Sequence, residues 1–498
     1  MEVDSSGGAN LAPLLFLGYT PLSYSEIQDP AMLKGIPSFL KRPGDSIRQL
    51  LKSERPKQSE QHELRIVSRD EHPISRSGIS ESALKVLYRL KKANYDAFLV
   101  GGCVRDALLD LHPKDFDVAT NATPEQVNSL FHNARIIGRR FRIVHVRYGR
   151  EIIEVTTFRA PHDTSDAKSH ASQTDQGLLV RDNVFGTIEE DAMRRDFTIN
   201  ALYYNIRDFS IHDYAGGIRD IEQRLIRMIG DPETRYREDP VRMLRAIRFA
   251  AKLSFKIEAA TEAPIRTSAN LLRQIPAARL FEEVLKLFLS GQAVETFKLL
   301  REYHLFEPLF PYTEDALKEN PEREAFVIRA LENTDKRIRQ NKPVTPAFLF
   351  AALLWPVVQR AFGDLIRSGI PPVPAMQQAG QQATAAQVDF TSIPKRFSQP
   401  MREIWEFQLR LERRQGKRAF QTAEHPRFRA AYDFLVLRGE TGENVQDLAQ
   451  WWTDFQESDT HSRRNLVQHS EKHDKPAPRK RRRRRSNHKG SQNRNHQE

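Results

Sequence analysis

Strand-like runs occupy one short window of this chain, which confines any sheet to a small domain near residue 100. "AFLV" (97–100) is apolar and ends in Gly101 and Gly102, and "CVRDALLDL" then shows helical spacing, so the segment predicts strand, tight turn, helix. "DFDVAT" (115–120) predicts the next strand, and "TPEQVNSLF" a helix capped by Thr123 with Gln126 three residues on. "FRIVHVRYG" and "EIIEVTTFRA" predict two strands joined by a glycine-containing turn. Before them, 80–94 predicts a helix with Ser80 as cap and Asn94 near its end. The polar stretch 161–180 predicts an irregular surface loop. From about residue 188 the spacing turns almost wholly helical, most clearly over 237–253, with Asp239 as N-cap and Pro240 at the first helical position.

A chain of 498 residues exceeds what one core can hold, so about two to four domains are expected. The boundaries are a mostly disordered extension over 1–78, an α/β head over 79–215, a helical neck over 216–275, a helical body over 276–460 and a basic tail over 461–498. That tail holds 13 Lys and Arg against three Asp and Glu, a net of +10, which leaves the rest of the +12 chain almost neutral. A segment of that composition cannot bury its charge and is expected to stay disordered.

The lone cysteine, Cys103, excludes a disulfide framework and a cysteine zinc site, and fits a reducing, cytoplasmic compartment. No apolar run approaches the roughly 18 residues expected of a bilayer span. "LAPLLFLGY" near the start lacks the basic flank of a secretory signal.

Asp115 and Asp117 sit either side of Phe116, so in extended backbone both carboxylates point the same way. Such a pair is costly alone and favourable around a divalent cation, since Mg²⁺ prefers hard oxygen ligands and substrate phosphates. Glu154 alternates with Ile153 and Val155 and is available as a third carboxylate. Gly101 and Gly102 let backbone approach a phosphate, and Arg105 lies one turn further on. Asp196 lies in "MRRDFTINALYYN", where it can order neighbouring arginines and a nucleotide. Arg242, Arg245 and Arg248 fall on one helix face, suited to base and phosphate contacts. Taken singly, these motifs equally fit exposed strand acids, a plain turn, a helix cap and a solvated basic face. His112 and His145 have no companions at metal spacing and read as packing or surface residues.

Their order carries more than any one of them. "LVGGCVRD", "KDFDVAT", "EIIEVTTFR", "RRDFTINALYYN" and "EDPVRMLRAIRFAAKL" together resemble the class II nucleotidyltransferases, which comprise bacterial poly(A) polymerases and tRNA CCA-adding enzymes. "IIGRRFRIVHV" (136–146), "RRQGKRAF", "HPRFRAAYDFL" and the arginine-rich tail resemble the poly(A) polymerase branch. Cys103 stands where the family often has a third glycine. The resemblance implies an α+β fold: a small mixed-sheet, polymerase-beta-like head, an all-α neck that selects the nucleotide and binds RNA, an all-α body with a C-terminal RNA-binding region, and a disordered basic tail.

The resemblance also implies template-independent addition of AMP from ATP to RNA 3′ ends, in mRNA polyadenylation and RNA decay. By position, Asp115 and Asp117 are implied as metal-binding catalytic residues, and Asp196 and Glu154 as further catalytic carboxylates. Gly101, Gly102 and Arg105 are implied to hold the triphosphate, and Asp239 with Arg242, near Arg245 and Arg248, to select the nucleotide. The cofactor is Mg²⁺, with Mn²⁺ as the alternative. Tail residues Arg479, Lys480, Arg481, Arg482, Arg483, Arg484 and Arg485 are expected to bind RNA phosphates through charge. A monomer without a membrane span is expected, with partners in RNA decay not legible. A CCA-adding enzyme and a catalytically silent RNA-binding protein are the alternatives.

Overall fold

The computed structural model describes residues 63–138, 142–160, 172–173, 179–181 and 184–473. Its strands in chain order are β1 (Arg65–Val67), β2 (Ala97–Val100), β3 (Asp117–Thr120), β4 (Ala134–Ile137), β5 (Ile143–Tyr148), β6 (Glu151–Thr157), β7 (Ser172–Gln173), β8 (Leu179–Arg181), β9 (Leu202–Asn205), β10 (Ile211–Asp213), β11 (Leu225–Ile226) and β12 (Lys256–Ile257). Eight of them form one mixed sheet in the order β1-β10-β9-β2-β3-β6-β5-β4. β2 runs antiparallel to β3 and β9, whereas β3 and β6 are parallel. That parallel pair sets Asp117 opposite Glu154.

Local signals explain the elements that brace this sheet. The Glu81–Lys92 helix starts where Ser80 accepts the Ala83 N–H, and its Val86, Leu87 and Leu90 enter the head core with Val118, Val146, Ile153 and Val155. The Pro124–Leu130 helix carries the expected capping box between Thr123 and Gln126. Asn94 takes the left-handed conformation that ends the earlier helix.

Several expectations are corrected. β9 and β10 fall where the chain read as helical, and β9 lies next to β2 in the middle of the sheet. All four residues of β9 are buried, so it lacks the alternation that marks a half-exposed strand. β1 places residues 65–67 in the sheet, ahead of the expected head boundary at 79; three residues are too few to show a period. β4 was not anticipated either. Within 161–180, Ser172–Gln173 pairs with Leu179–Arg181, and the remainder of that stretch lies outside the described residues.

Beyond the head the chain is helical to residue 473, apart from the short β11–β12 pair. The predicted 237–253 helix is two, Pro232–Glu238 and Val241–Leu253, broken at Asp239 and Pro240. The Pro346–Arg367 helix is long and apolar enough to cross a membrane, contrary to the sequence expectation. Its Leu349–Val358 stretch is instead buried in the core of the body, beside Phe281, Trp405 and Phe434. The tail also starts later than 461, because Thr460–His473 is a helix whose Val467 packs beside Trp452 and Phe455. Arg479 to Arg485 lie outside the described residues.

Candidate active site

β2 ends in a turn that only glycine makes easily. Gly101 has φ +80° and ψ −129°, and its N–H donates to the Leu202 carbonyl at 3.3 Å. A Cβ added there would approach Arg195 Nη1 to 3.7 Å. The turn opens into the short Gly102–Leu108 helix. Arg105, however, does not stay available for an anion. Its side chain is buried, donates to Asp106 Oδ1 and to Asn200 Oδ1, and lies over the Phe249 ring at 4.9 Å. Asp106 also accepts from Lys252 Nζ at 2.9 Å. Arg105 is thus a strut that ties the turn to the Val241–Leu253 helix.

Phe116 turns into the head core, which leaves Asp115 exposed and Asp117 half-buried on the other face. Asp115 precedes β3, so the expected strand is shorter than "DFDVAT". The Asp117 carboxyl is pushed up from 3.8 to about 6. Burial is the main cause, and the neighbouring Glu154 and Asp115 charges add to it, while Arg195 and Arg245 oppose it. Glu154 Oε1 lies 3.1 Å from His145 Nε2 across the β5–β6 ladder and accepts its N–H in the tautomer that carries the proton there. Beneath them the Cys103 thiol is buried and pushed up to about 12, by burial first and then by Asp117.

Asp115, Asp117 and Glu154 therefore form one electrostatic group. Its oxygen-only donors crowd negative charge, which suits a hard divalent cation. Among the described residues, no three His, Cys, Asp or Glu side chains already converge as a metal cage. Asp196 is linked to Asp117 through Arg245, whose charge acts on both. It accepts from Arg245 Nε at 2.6 Å, Asn200 Nδ2 at 3.0 Å and the Phe197 N–H at 2.8 Å. Burial would raise its pKa, but Arg245 and these hydrogen bonds hold it down at about 2.

The predicted arginine row does lie on one face of its helix, but each member has a different setting. Arg242 donates to Glu238 and to the Arg235 carbonyl. Arg245 is the partner of Asp196. Arg248 lies over Phe249 at 4.9 Å and is lowered to about 10 by burial and then by Arg245. Asp239 accepts from Arg279 Nη2 at 2.8 Å.

The largest miss of the sequence reading is a cluster of cations. Arg194 is lowered to about 9 by burial and by the charges of Arg159, Arg195, Arg235 and Arg242. Arg235 is lowered to about 10 by burial and then by Arg242. Arg195 is anchored by Asp191 and Tyr203, whose hydroxyl itself donates to Asp191 at 2.7 Å. Five arginines that repel one another, of which Arg195 also acts on the Asp117 carboxyl, are suited to a polyanion. The sequence pointed to Arg242 and to the arginine pair in "MRRDF" separately; Arg159 and Arg235 carried no signal of their own.

Comparison with known proteins bears on what this arrangement serves. Residues 97–227 match the model of the poly A polymerase head domain, 254–317 that of the probable RNA and SrmB-binding site of polymerase A, and 368–487 that of the polymerase A arginine-rich C-terminus. Poly(A) polymerase I of Salmonella typhimurium is 53% identical over 425 residues, 84% of this chain and 91% of its own length. The Escherichia coli O157:H7 protein of that name is 52% identical over 428 residues, 85% of this chain and 92% of its own. A CCA-adding enzyme of Lactobacillus helveticus is 38% identical over 225 residues, covering 45% of this chain and 54% of its own length. A solved apo structure of a tRNA-processing enzyme aligns with a TM-score of 0.51 at 20% identity, over 77% of this chain and 99% of that one, which shows a shared fold.

Proposed function

Because the chain belongs to the bacterial poly(A) polymerase family, we propose that its carboxylate group and arginine cluster form the site at which AMP is joined to RNA. The enzyme is a nucleotidyltransferase that adds AMP from ATP to RNA 3′ ends without a template. The CCA-adding alternative fits less well, since the Lactobacillus helveticus enzyme is 38% identical over 45% of this chain, against 53% over 84% for the Salmonella typhimurium poly(A) polymerase I. The silent-scaffold alternative has no use for crowded carboxylates.

The observation that carries the site is the raised Asp117 carboxyl between Asp115 and Glu154, within reach of the charges of Arg195 and Arg245. In the reaction, the RNA 3′-hydroxyl loses its proton and its oxygen attacks the α-phosphorus of ATP. One P–O bond forms, the bond to the β-phosphate oxygen breaks, and pyrophosphate leaves. Asp115 and Asp117 would hold divalent metal, Mg²⁺ or Mn²⁺, which supplies charge neutralisation and acidifies the hydroxyl when bound. Glu154 adds negative charge to that locus and is itself oriented by His145. Gly101 and Gly102 let the backbone approach the triphosphate, while Arg194, Arg195 and Arg235 balance its charge and that of the leaving group. Asp196 acts through Arg245, which it orients, and Arg105 acts through the turn it braces. Asp239, with Arg242 and Arg248 on the helix beyond, is assigned to the base edge.

The head is assigned to 79–215 with β1 added, the neck to 216–275 and the body to 276–460. Arg479 to Arg485 would bind RNA phosphates through charge alone. The buried, unpaired Cys103 suits a cytoplasmic enzyme, and we place the chain there as a monomer that supplies tails for RNA decay. Incubation of defined RNAs with each nucleoside triphosphate tests the reading. Homopolymeric A tails on varied RNAs are expected, whereas CTP-then-ATP addition restricted to tRNA ends would replace it with the CCA-adding alternative.

A further inference from the structure

Positive charge gathers at a second place in the described residues, within the helical body. A cavity of about 910 Å³ opens between the Glu322–Arg339 helix, the turn that follows it, and the first turns of the Pro346–Arg367, Lys395–Leu411 and Phe428–Glu440 helices. Six cations line it, Lys336, Arg337, Lys342, Arg396, Arg427 and Arg429, against one carboxylate, Asp433. Arg427 pairs with Glu403 at 2.6 Å and Arg429 with Asp433 at 2.8 Å. Arg337 donates to the Pro343 carbonyl. Lys336, Lys342 and Arg396 are exposed and make no ion pair among the described residues. A wall of cations in excess of its own acids is repulsive until an outside anion occupies it.

Two further features narrow that anion's chemistry. None of the three helices that begin at the cavity has a side chain capping its first turn, so their N-terminal dipoles add positive potential at the same wall. The rings of Phe348 and Phe397 also line the cavity and are only half-buried, with the Arg396 guanidinium over Phe397 at 4.9 Å. Cations alone would suit any acidic partner. Cations beside aromatic rings, with the flat Arg396 guanidinium layered on Phe397 as Phe397 is on Phe281 at 5.9 Å, suit a ligand that carries both phosphates and flat bases.

We propose that this groove binds single-stranded RNA, holding the chain upstream of the 3′ end that the head extends. The proposal rests on the polymerase reading. It adds a binding site made of the body's own folded residues, separate from the Arg479–Arg485 run. A primer long enough to reach both head and groove gains affinity through effective concentration, without any change at the reacting atoms.

The test is the triple variant Lys336→Ala, Lys342→Ala, Arg396→Ala in the full chain, compared with wild type on labelled oligoadenylates of increasing length. These side chains are exposed and unpaired, so the fold should hold, and matching circular dichroism and thermal unfolding verify it. Removing three phosphate contacts should lower the slope of log affinity against log salt by about 2 and weaken long-primer binding roughly tenfold at moderate salt. kcat for single AMP addition to a short primer should stay at the wild-type value. Photocrosslinking of 4-thiouridine RNA should label peptides containing Phe348 or Phe397. Unchanged length dependence, salt slope and crosslinks would overturn the groove assignment. So would displacement of a polyglutamate peptide from wild type but not the variant, with RNA affinity unaffected, which would assign the groove to an acidic protein. If wild type itself adds no AMP to RNA, the polymerase reading fails, a result distinct from either.

Discussion

Replacing Asp117 by asparagine should make the metal-free protein more stable while removing its activity. The carboxyl stands at about 6 rather than 3.8 because it is buried beside Glu154 and Asp115. That displacement is worth at most about 3 kcal/mol, at ~1.4 kcal/mol per tenfold change in proton affinity. Water at the half-exposed edge of the group screens part of it, so a gain of about 1–2 kcal/mol is expected. The folded protein binds this proton more tightly than the unfolded chain does. The penalty is therefore absent below about pH 4, grows as pH rises towards 6, and is complete above it. Urea unfolding in excess chelator should show Asp117→Asn more stable than wild type at pH 7.5, and the two nearly equal at pH 4. Adding Mg²⁺ at pH 7.5 should stabilise wild type and leave the variant unmoved. A variant less stable than wild type at pH 7.5, or one stabilised equally by Mg²⁺, would refute the argument that crowded carboxylates await a cation.

Three other substitutions probe the frame around that group. Gly101→Ala forces a side chain into the φ +80° turn and should cost about 1–3 kcal/mol, with a raised KM for ATP; an unchanged melting curve and KM would remove the turn from the site. Arg245→Ala leaves the buried Asp196 carboxylate without its cation, so a loss of about 3–5 kcal/mol is expected in urea unfolding, and a loss under ~1 would show the pair to be dispensable. Deleting 475–498 should flatten the salt dependence of RNA binding yet spare single-nucleotide addition, and an identical salt slope would deny the tail its role.

What the sequence disclosed depended on how local each signal was. The strand–glycine–helix unit and the Ser80 and Thr123 caps are short-range patterns, and they appear in the fold as read, whereas the register that sets Asp117 opposite Glu154 comes only from the folded sheet. β9 was missed because a strand buried on both faces has no alternation, and β1 because three residues carry no period. The arginine cluster joins five residues from four places in 159–242, and only the folded chain shows that their charges meet. Arg105 illustrates the opposite failure: one helical turn from Gly101 it looked free to reach an anion, yet Asp106 and Asn200 claim its donors. Asp196, expected as a catalytic carboxylate, accepts from Arg245, a partner 49 residues away that no local pattern announced.

The most direct test of the account follows α-labelled ATP into RNA with folded wild-type enzyme and with Asp117→Ala, in the presence of Mg²⁺. Wild type should extend unrelated RNAs with AMP and release pyrophosphate, and the variant should incorporate none. Extension by the variant at the wild-type rate would contradict the assignment of AMP transfer to this carboxylate group.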